Sequence, residues 1–146
     1  MRIAVLNGPN LNLLGVREPH LYGSRTLADI ERDVREVASE LGVEVDFAQH
    51  SGEGDLIDAI HRLRGAADGI LINAGAYSHT SLAIRDALAA VALPYVEVHL
   101  TNIYAREPER RHSVLAPGAR AVLCGFGAAG YELALRGLAS TLAPRG

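Results

Sequence analysis

Apolar and polar residues change period repeatedly along this chain, and each change marks an element. "RIAVLN" (2–7) is a continuous apolar run of strand length, the pattern of a strand covered on both faces. "TLADIERDVREVASELG" then adopts helical periodicity and places Leu27, Ile30, Val34, Val37 and Leu41 on one face. Thr26 with Asp29 is a helix-start signal, and Gly42 is a stop. "VEVDFA" alternates Val43, Val45 and Phe47, "GDLIDAIHRLRG" is a short amphipathic helix, and "GILINA" is another apolar strand. "SLAIRDALAAV" predicts a helix, "PYVEVHL" and "RAVLCG" predict strands, and "AGYELALRGLASTLA" closes the chain as a helix carrying Leu135, Leu138 and Leu142.

Alternation of strand and helix predicts an α/β domain with a parallel sheet between two helical layers, since each crossover lays its apolar stripe on the sheet with one hand. A flavodoxin-like three-layer sandwich with five strands in the order 2-1-3-4-5 is the expected topology. The 146 residues form one domain, 1–146, with no internal repeat. Two irregular stretches, 7–25 and about 101–119, exceed ordinary connections, and function is expected there. Gly8, Gly15 and Gly23 are read as bending points of the first.

Composition narrows the chemistry. Hydrophobic residues make up 49%, charged residues 21%, and the net charge is −3, without the basic excess that a nucleic-acid partner demands. The N-terminal apolar run is too short for a signal segment and no stretch reaches membrane-spanning length, so a cytoplasmic protein is expected. Cys124, the single cysteine, excludes an internal disulfide and is read as a small buried hydrophobe. All 14 basic residues are arginine. Schiff-base catalysis by lysine, a phosphate-loop lysine and pyridoxal phosphate attachment are therefore excluded.

In open α/β sheets ligands bind beyond the carboxyl ends of the strands. There this chain carries Asn7 and Asn10, Gln49, His50 and Ser51, Asn73 with "AGAYSHTS", and Glu97, His99, Thr101 and Asn102. Glu97 and His99, two apart on one strand, share a face, where the carboxylate either fixes the imidazole tautomer for chemistry or forms a structural pair. His79, before a helix starting at Thr80 or Ser81, is either a cap neighbour or a ligand contact. Arg106, Arg110 and Arg111 in "YAREPERRHS" are either solvated charge or a site for an anion or polyol.

"GFGAAG" matches the spacing of a dinucleotide fingerprint, but no later strand remains to supply a ribose-binding acid, and close helix–sheet packing explains the glycines. The six histidines lie on different elements without metal-ligand spacing, so neither metal nor cofactor is expected.

The first long loop reads as a lid that closes Arg17 and Tyr22 over the rim. Tyrosine, with a pKa of about 10, is a poor base, but a neighbouring guanidinium favours its phenolate form. His99 on the opposite wall completes a base and an acid on two sides of a small molecule, an arrangement suited to eliminating water beside a carbonyl.

Together "NGPNLNLLGVREPHLYG", "NAGAYSHTSLAIRDAL", "VEVHLTNIYAREPERRHS" and "GFGAAGYELAL" resemble the type II 3-dehydroquinate dehydratases, in order and over nearly the whole chain. The resemblance implies reversible, cofactor-free dehydration of 3-dehydroquinate to 3-dehydroshikimate through an enolate, in agreement with the absence of lysine. It assigns Tyr22 as proton acceptor, Arg17 as its activator, His99 as proton donor oriented by Glu97, and Asn10 as holder of a water against the enolate oxygen. It assigns substrate contacts to Asn73, His79, Asp86, Leu100, Thr101 and Arg110, with the backbone at Leu100 and Thr101 gripping a carboxylate, and a lid role to Arg106. It further implies a dodecamer of four trimers in which Asp86 reaches a neighbouring subunit's site. Thr101 stands where the family usually has serine, and Glu109 where an aromatic is common.

The rivals are a non-catalytic flavodoxin-like binding or signalling module and a flavin-binding protein. A phosphoacceptor module needs acidic residues after strand one and a lysine after strand five, and neither is present. The first loop also lacks the hydroxyl-rich phosphate cradle a flavin needs.

Overall fold

The computed structural model describes residues 1–144. Strands β1 (Arg2–Asn7), β2 (Glu44–Gln49), β3 (Gly69–Asn73), β4 (Tyr95–His99) and β5 (Ala121–Cys124) form one sheet in the order β2-β1-β3-β4-β5, the predicted topology. Every neighbouring pair is parallel. The continuous apolar runs are the central strands, whereas alternating β2 and short β5 take the partly covered edges.

Helices α1 (Pro19–Tyr22), α2 (Leu27–Leu41), α3 (Glu53–Arg62), α4 (Leu82–Val91) and α5 (Ala129–Leu142) connect or close the strands. Because successive strand side chains point to opposite faces, Ile3, Val5, Leu71, Val96 and Val98 pack with α2 and α5, while Leu6, Ile70 and Ile72 pack with α3 and α4. Each helix brings the apolar stripe its sequence predicts. In α2, Ile30, Val34 and Val37 are buried, but Leu41 is exposed: Gly42 reverses the chain there in a left-handed conformation, and Val43 takes the inward place. Thr26 opens α2 with a reciprocal capping box, its side chain accepting from the Asp29 N–H while Asp29 accepts from the Thr26 N–H.

Three other expectations need correction. Cys124 is only half-buried, because β5 is an edge strand. Close packing does not explain the glycines of "GFGAAG": a Cβ at Gly130 would meet Val98 at 3.6 Å, an ordinary contact, and Gly125 and Gly127 instead adopt positive φ in the turn before α5. Gly8 is not a bending point either, since a Cβ would sit 2.4 Å from the Ala74 carbonyl oxygen, so it permits close approach of the β1 and β3 ends. There the Gly8 N–H donates to the Asn73 carbonyl at 2.8 Å.

The two long connections are not structureless. The first holds a 3-10 turn at Leu11–Leu13 and α1, and the second holds 3-10 turns at Ile103–Ala105, Pro108–Arg110 and Ala116–Gly118. Among the described residues no helix is long and apolar enough to cross a membrane.

Candidate active site

The carboxyl ends of β1, β3 and β4 and the two long connections surround one cleft. Asn10, Arg17, Tyr22, Asn73, His79, His99, Leu100, Thr101, Arg106 and Arg110 all line it. Glu97 sits behind His99, fully buried. Asp86 is the exception: it is exposed on α4 and lines a separate groove with Tyr95, Gly118 and Arg120. Asn7 also turns away from the cleft into the core, and Gln49 ties the rim together by donating to the Gly8 carbonyl at 3.0 Å.

The first long connection delivers Tyr22 from the last turn of α1, whose first residue is Pro19. The Arg17 guanidinium lies 5.0 Å and that of Arg106 5.5 Å from the Tyr22 ring centroid. Arg106 Nη1 donates to the Tyr22 hydroxyl at 3.1 Å and to Thr101 Oγ1 at 3.3 Å. Arg17 thus stacks on the ring, the neighbouring guanidinium expected from the sequence, while Arg106, expected only as a lid residue, touches the oxygen. The polar signal was present in "AREPERRHS", but nothing local says which arginine reaches across to the first loop. Glu107 pairs with Arg110 Nε at 2.5 Å and lies 3.7 Å from Arg106, tethering both site arginines.

On the opposite wall His99 Nε2 donates to Glu97 Oε2, and Ser113 Oγ donates to Glu97 Oε1 at 2.7 Å. The second bond was not foreseen from the sequence. Since a carboxylate only accepts, His99 directs an N–H at Nε2 to Glu97 and turns Nδ1 toward the cleft. The imidazole is therefore held by a buried, twice-bonded carboxylate.

His79 stacks against His99 with ring centroids 6.1 Å apart. Its Nδ1 donates to the His112 carbonyl at 2.6 Å, and His112 Nε2 donates back to the His79 carbonyl at 2.9 Å. Burial holds the His79 pKa below the usual histidine value, with the nearby His99 acting in the same direction and the His112 carbonyl opposing. A neutral His79 with its proton on Nδ1 offers Nε2 to the cleft as an acceptor for a hydroxyl. The helix cap is Ser81, two residues on, accepting from the Ile84 N–H at 3.0 Å, so His79 both neighbours the cap and lines the cleft. At the start of the first long connection Asn10 adopts left-handed geometry with φ of 70°. Among the described residues no group of three or more potential metal ligands gathers.

The family model for class II dehydroquinases matches residues 1–139. This chain belongs to the class II dehydroquinase family. A curated 3-dehydroquinate dehydratase from Gemmatimonas aurantiaca is 60% identical over 142 residues, covering 97% of this chain and 93% of that protein. The crystal structure of a type II dehydroquinase from Butyrivibrio crossotus has a TM-score of 0.93 at 41% identity, over 94% of this chain and 97% of that one. Another, from Propionibacterium acnes, has a TM-score of 0.91 at 42% identity, over 95% and 96% of the two chains.

Two departures from the motifs of class II dehydroquinases can be weighed on the structure. Thr101 keeps its hydroxyl and uses it to accept from Arg106. Glu109 is exposed, and its turn is held by hydrogen bonds from the Arg110 N–H to Glu107 and from Arg111 Nε to the Arg106 carbonyl, so the turn holds without an aromatic.

Proposed function

We propose that the cleft dehydrates 3-dehydroquinate to 3-dehydroshikimate reversibly, in the cytoplasm, as a step of the shikimate pathway. The observation that carries this reading is the placement of a tyrosine hydroxyl and an oriented histidine on the walls of one cleft, the first flanked by two guanidiniums and the second backed by a buried carboxylate. Tyr22, as phenolate, takes the proton from the carbon beside the ketone, with Arg17 and Arg106 balancing its negative charge. The electron pair moves into an enolate, whose oxygen is met by a water held by Asn10. Collapse of the enolate expels the β-hydroxyl as His99 delivers a proton to it, so that one water is lost. Glu97 holds His99 for that transfer.

Binding falls to the remaining cleft residues. Backbone N–H groups at Leu100 and Thr101 grip the substrate carboxylate, while Asn73, His79 and Arg110 meet its hydroxyls. Asp86, exposed and outside its own cleft, acts on a neighbouring subunit's site in a dodecamer of four trimers. Solution mass by light scattering tests the assembly, a monomer refuting it.

The activity is tested by the ultraviolet absorbance of the conjugated enone formed from 3-dehydroquinate. The wild-type protein produces it before and after borohydride treatment, as no lysine imine is involved, and Tyr22→Phe does not, although it stays folded. Full turnover by Tyr22→Phe would remove the tyrosine from its role, and no signal from folded wild type would remove the activity.

A further inference from the structure

Asn7 and Asn73 are partners in the β1–β3 register, at the carboxyl ends of the two central strands. Both lie on the side of the sheet covered by α5, and from α5 Tyr131 places its hydroxyl between them, itself fully buried. The polarity of the bonds is set from one end. Asn7 Nδ2 donates to the Ala48 carbonyl at 3.0 Å, and a carbonyl only accepts, so Asn7 must present Oδ1 to Tyr131. Tyr131 donates to that oxygen at 2.7 Å, which commits its single proton. Its oxygen then accepts from Asn73 Nδ2 at 2.9 Å, and Asn73 Oδ1 accepts from the Gly75 N–H at 3.1 Å. Burial raises the phenol pKa far above its ordinary value, so the hydroxyl remains a donor throughout the working range.

An amide has two donor hydrogens and two acceptor lone pairs. In Asn73 Tyr131 occupies one donor and Gly75 one acceptor, leaving one of each for the cleft that Asn73 lines. A core needs no such device, since an apolar residue at each of the three positions fills the same space without a polar group to satisfy. The expense is explained if the orientation of the one amide that reaches the cleft matters.

We propose that Tyr131, anchored by Asn7, is a positioning residue of the dehydratase, fixing which atoms of Asn73 the substrate meets. This rests on the reading of Asn73 as a substrate contact, and the test separates the two. Steady-state kinetics with 3-dehydroquinate are measured for Asn73→Ala, Tyr131→Phe, Asn7→Ala and the Asn73→Ala/Tyr131→Phe double variant, alongside thermal melts. Losing the equivalent of one oriented hydrogen bond raises KM by about fivefold in Tyr131→Phe, with the pH profile of kcat unchanged because Tyr22 and His99 are untouched. In the Asn73→Ala background the same substitution leaves KM unaltered, although it still lowers the melting temperature. Asn7→Ala, which keeps the phenol but removes its acceptor, raises KM in the same direction and serves if Tyr131→Phe does not fold. If Asn73→Ala raises KM but folded Tyr131→Phe or Asn7→Ala does not, or if the two effects simply add, the positioning role is overturned. If Asn73→Ala itself leaves turnover unchanged, Asn73 is no substrate contact and the proposal falls with it.

Discussion

Ser113→Ala tests the orientation of His99, the proposed acid, directly. The Ser113 hydroxyl donates to Glu97 Oε1 at 2.7 Å and accepts from the Leu115 and Ala116 N–H groups at 3.1 and 3.2 Å. Glu97 is fully buried, and its other carboxylate oxygen is taken by His99. Removing the hydroxyl leaves one oxygen of a buried carboxylate without a donor, and two backbone donors lose their acceptor. Hydrogen bonds to charged groups contribute about 1.5–3 kcal/mol, and the part-buried Leu115 and Ala116 N–H groups left without their acceptor push the total to the top of that range, a loss of about 3 kcal/mol. For a chain of this size that lowers the melting temperature by about 6–12 °C. Freed on one side, Glu97 no longer fixes the imidazole plane, and kcat falls by about tenfold, on the order of one well-oriented hydrogen bond at the transition state. Scanning calorimetry and the enone absorbance assay at one protein concentration measure both effects, and Ser113→Thr, which keeps the hydroxyl, restores most of each. An alanine variant with unchanged melting temperature and unchanged kcat would show that Glu97 and His99 hold their geometry unaided.

Two further outcomes concern stability. Thr26→Ala removes the cap of α2 and costs about 1 kcal/mol, seen as a fall of about 2–4 °C in melting temperature with turnover unaltered. His79 is held neutral by burial, its folded pKa lying below the unfolded value of about 6.5. Below that value the unfolded chain binds the proton first, so the His79 contribution is complete above about pH 6.5 and is lost as pH falls through the folded pKa. Urea midpoints from about pH 7.5 down to pH 5 should therefore fall less in His79→Gln than in wild type; equal slopes would contradict the burial argument.

The fold was legible because every strand and helix but α1 carries its own apolar period, and because Thr26, Gly42 and Ser81 punctuate the helices where capping chemistry requires. Helix α1 has only four residues, too few to display a period. Most of the cleft was legible too, since the polar residues beyond β1, β3 and β4 stand out against apolar strands. The hidden parts are those whose meaning depends on a distant partner. Tyr131 looks like one more core position of α5 until Asn7 and Asn73 are set beside it, and Ser113 looks like loop polarity until Glu97 is seen behind it. Arg106 and Arg17 differ in which part of Tyr22 they touch through the path of two connections, which no local period records.

The cleft also bears on how the chain reaches its native state. Tyr22 follows the first strand and His99 ends the fourth, while helix α5, which completes the layer over β3 and β4, comes last. Such non-local parallel pairing makes for slow folding, because loop-closure entropy is lost before the contacts form. A chain released from denaturant therefore has no working site until β4 has docked beside β3, however much helix has already returned. Recovery of turnover should lag recovery of helical circular dichroism during refolding, making the enzymatic signal a clock for the final assembly of the sheet.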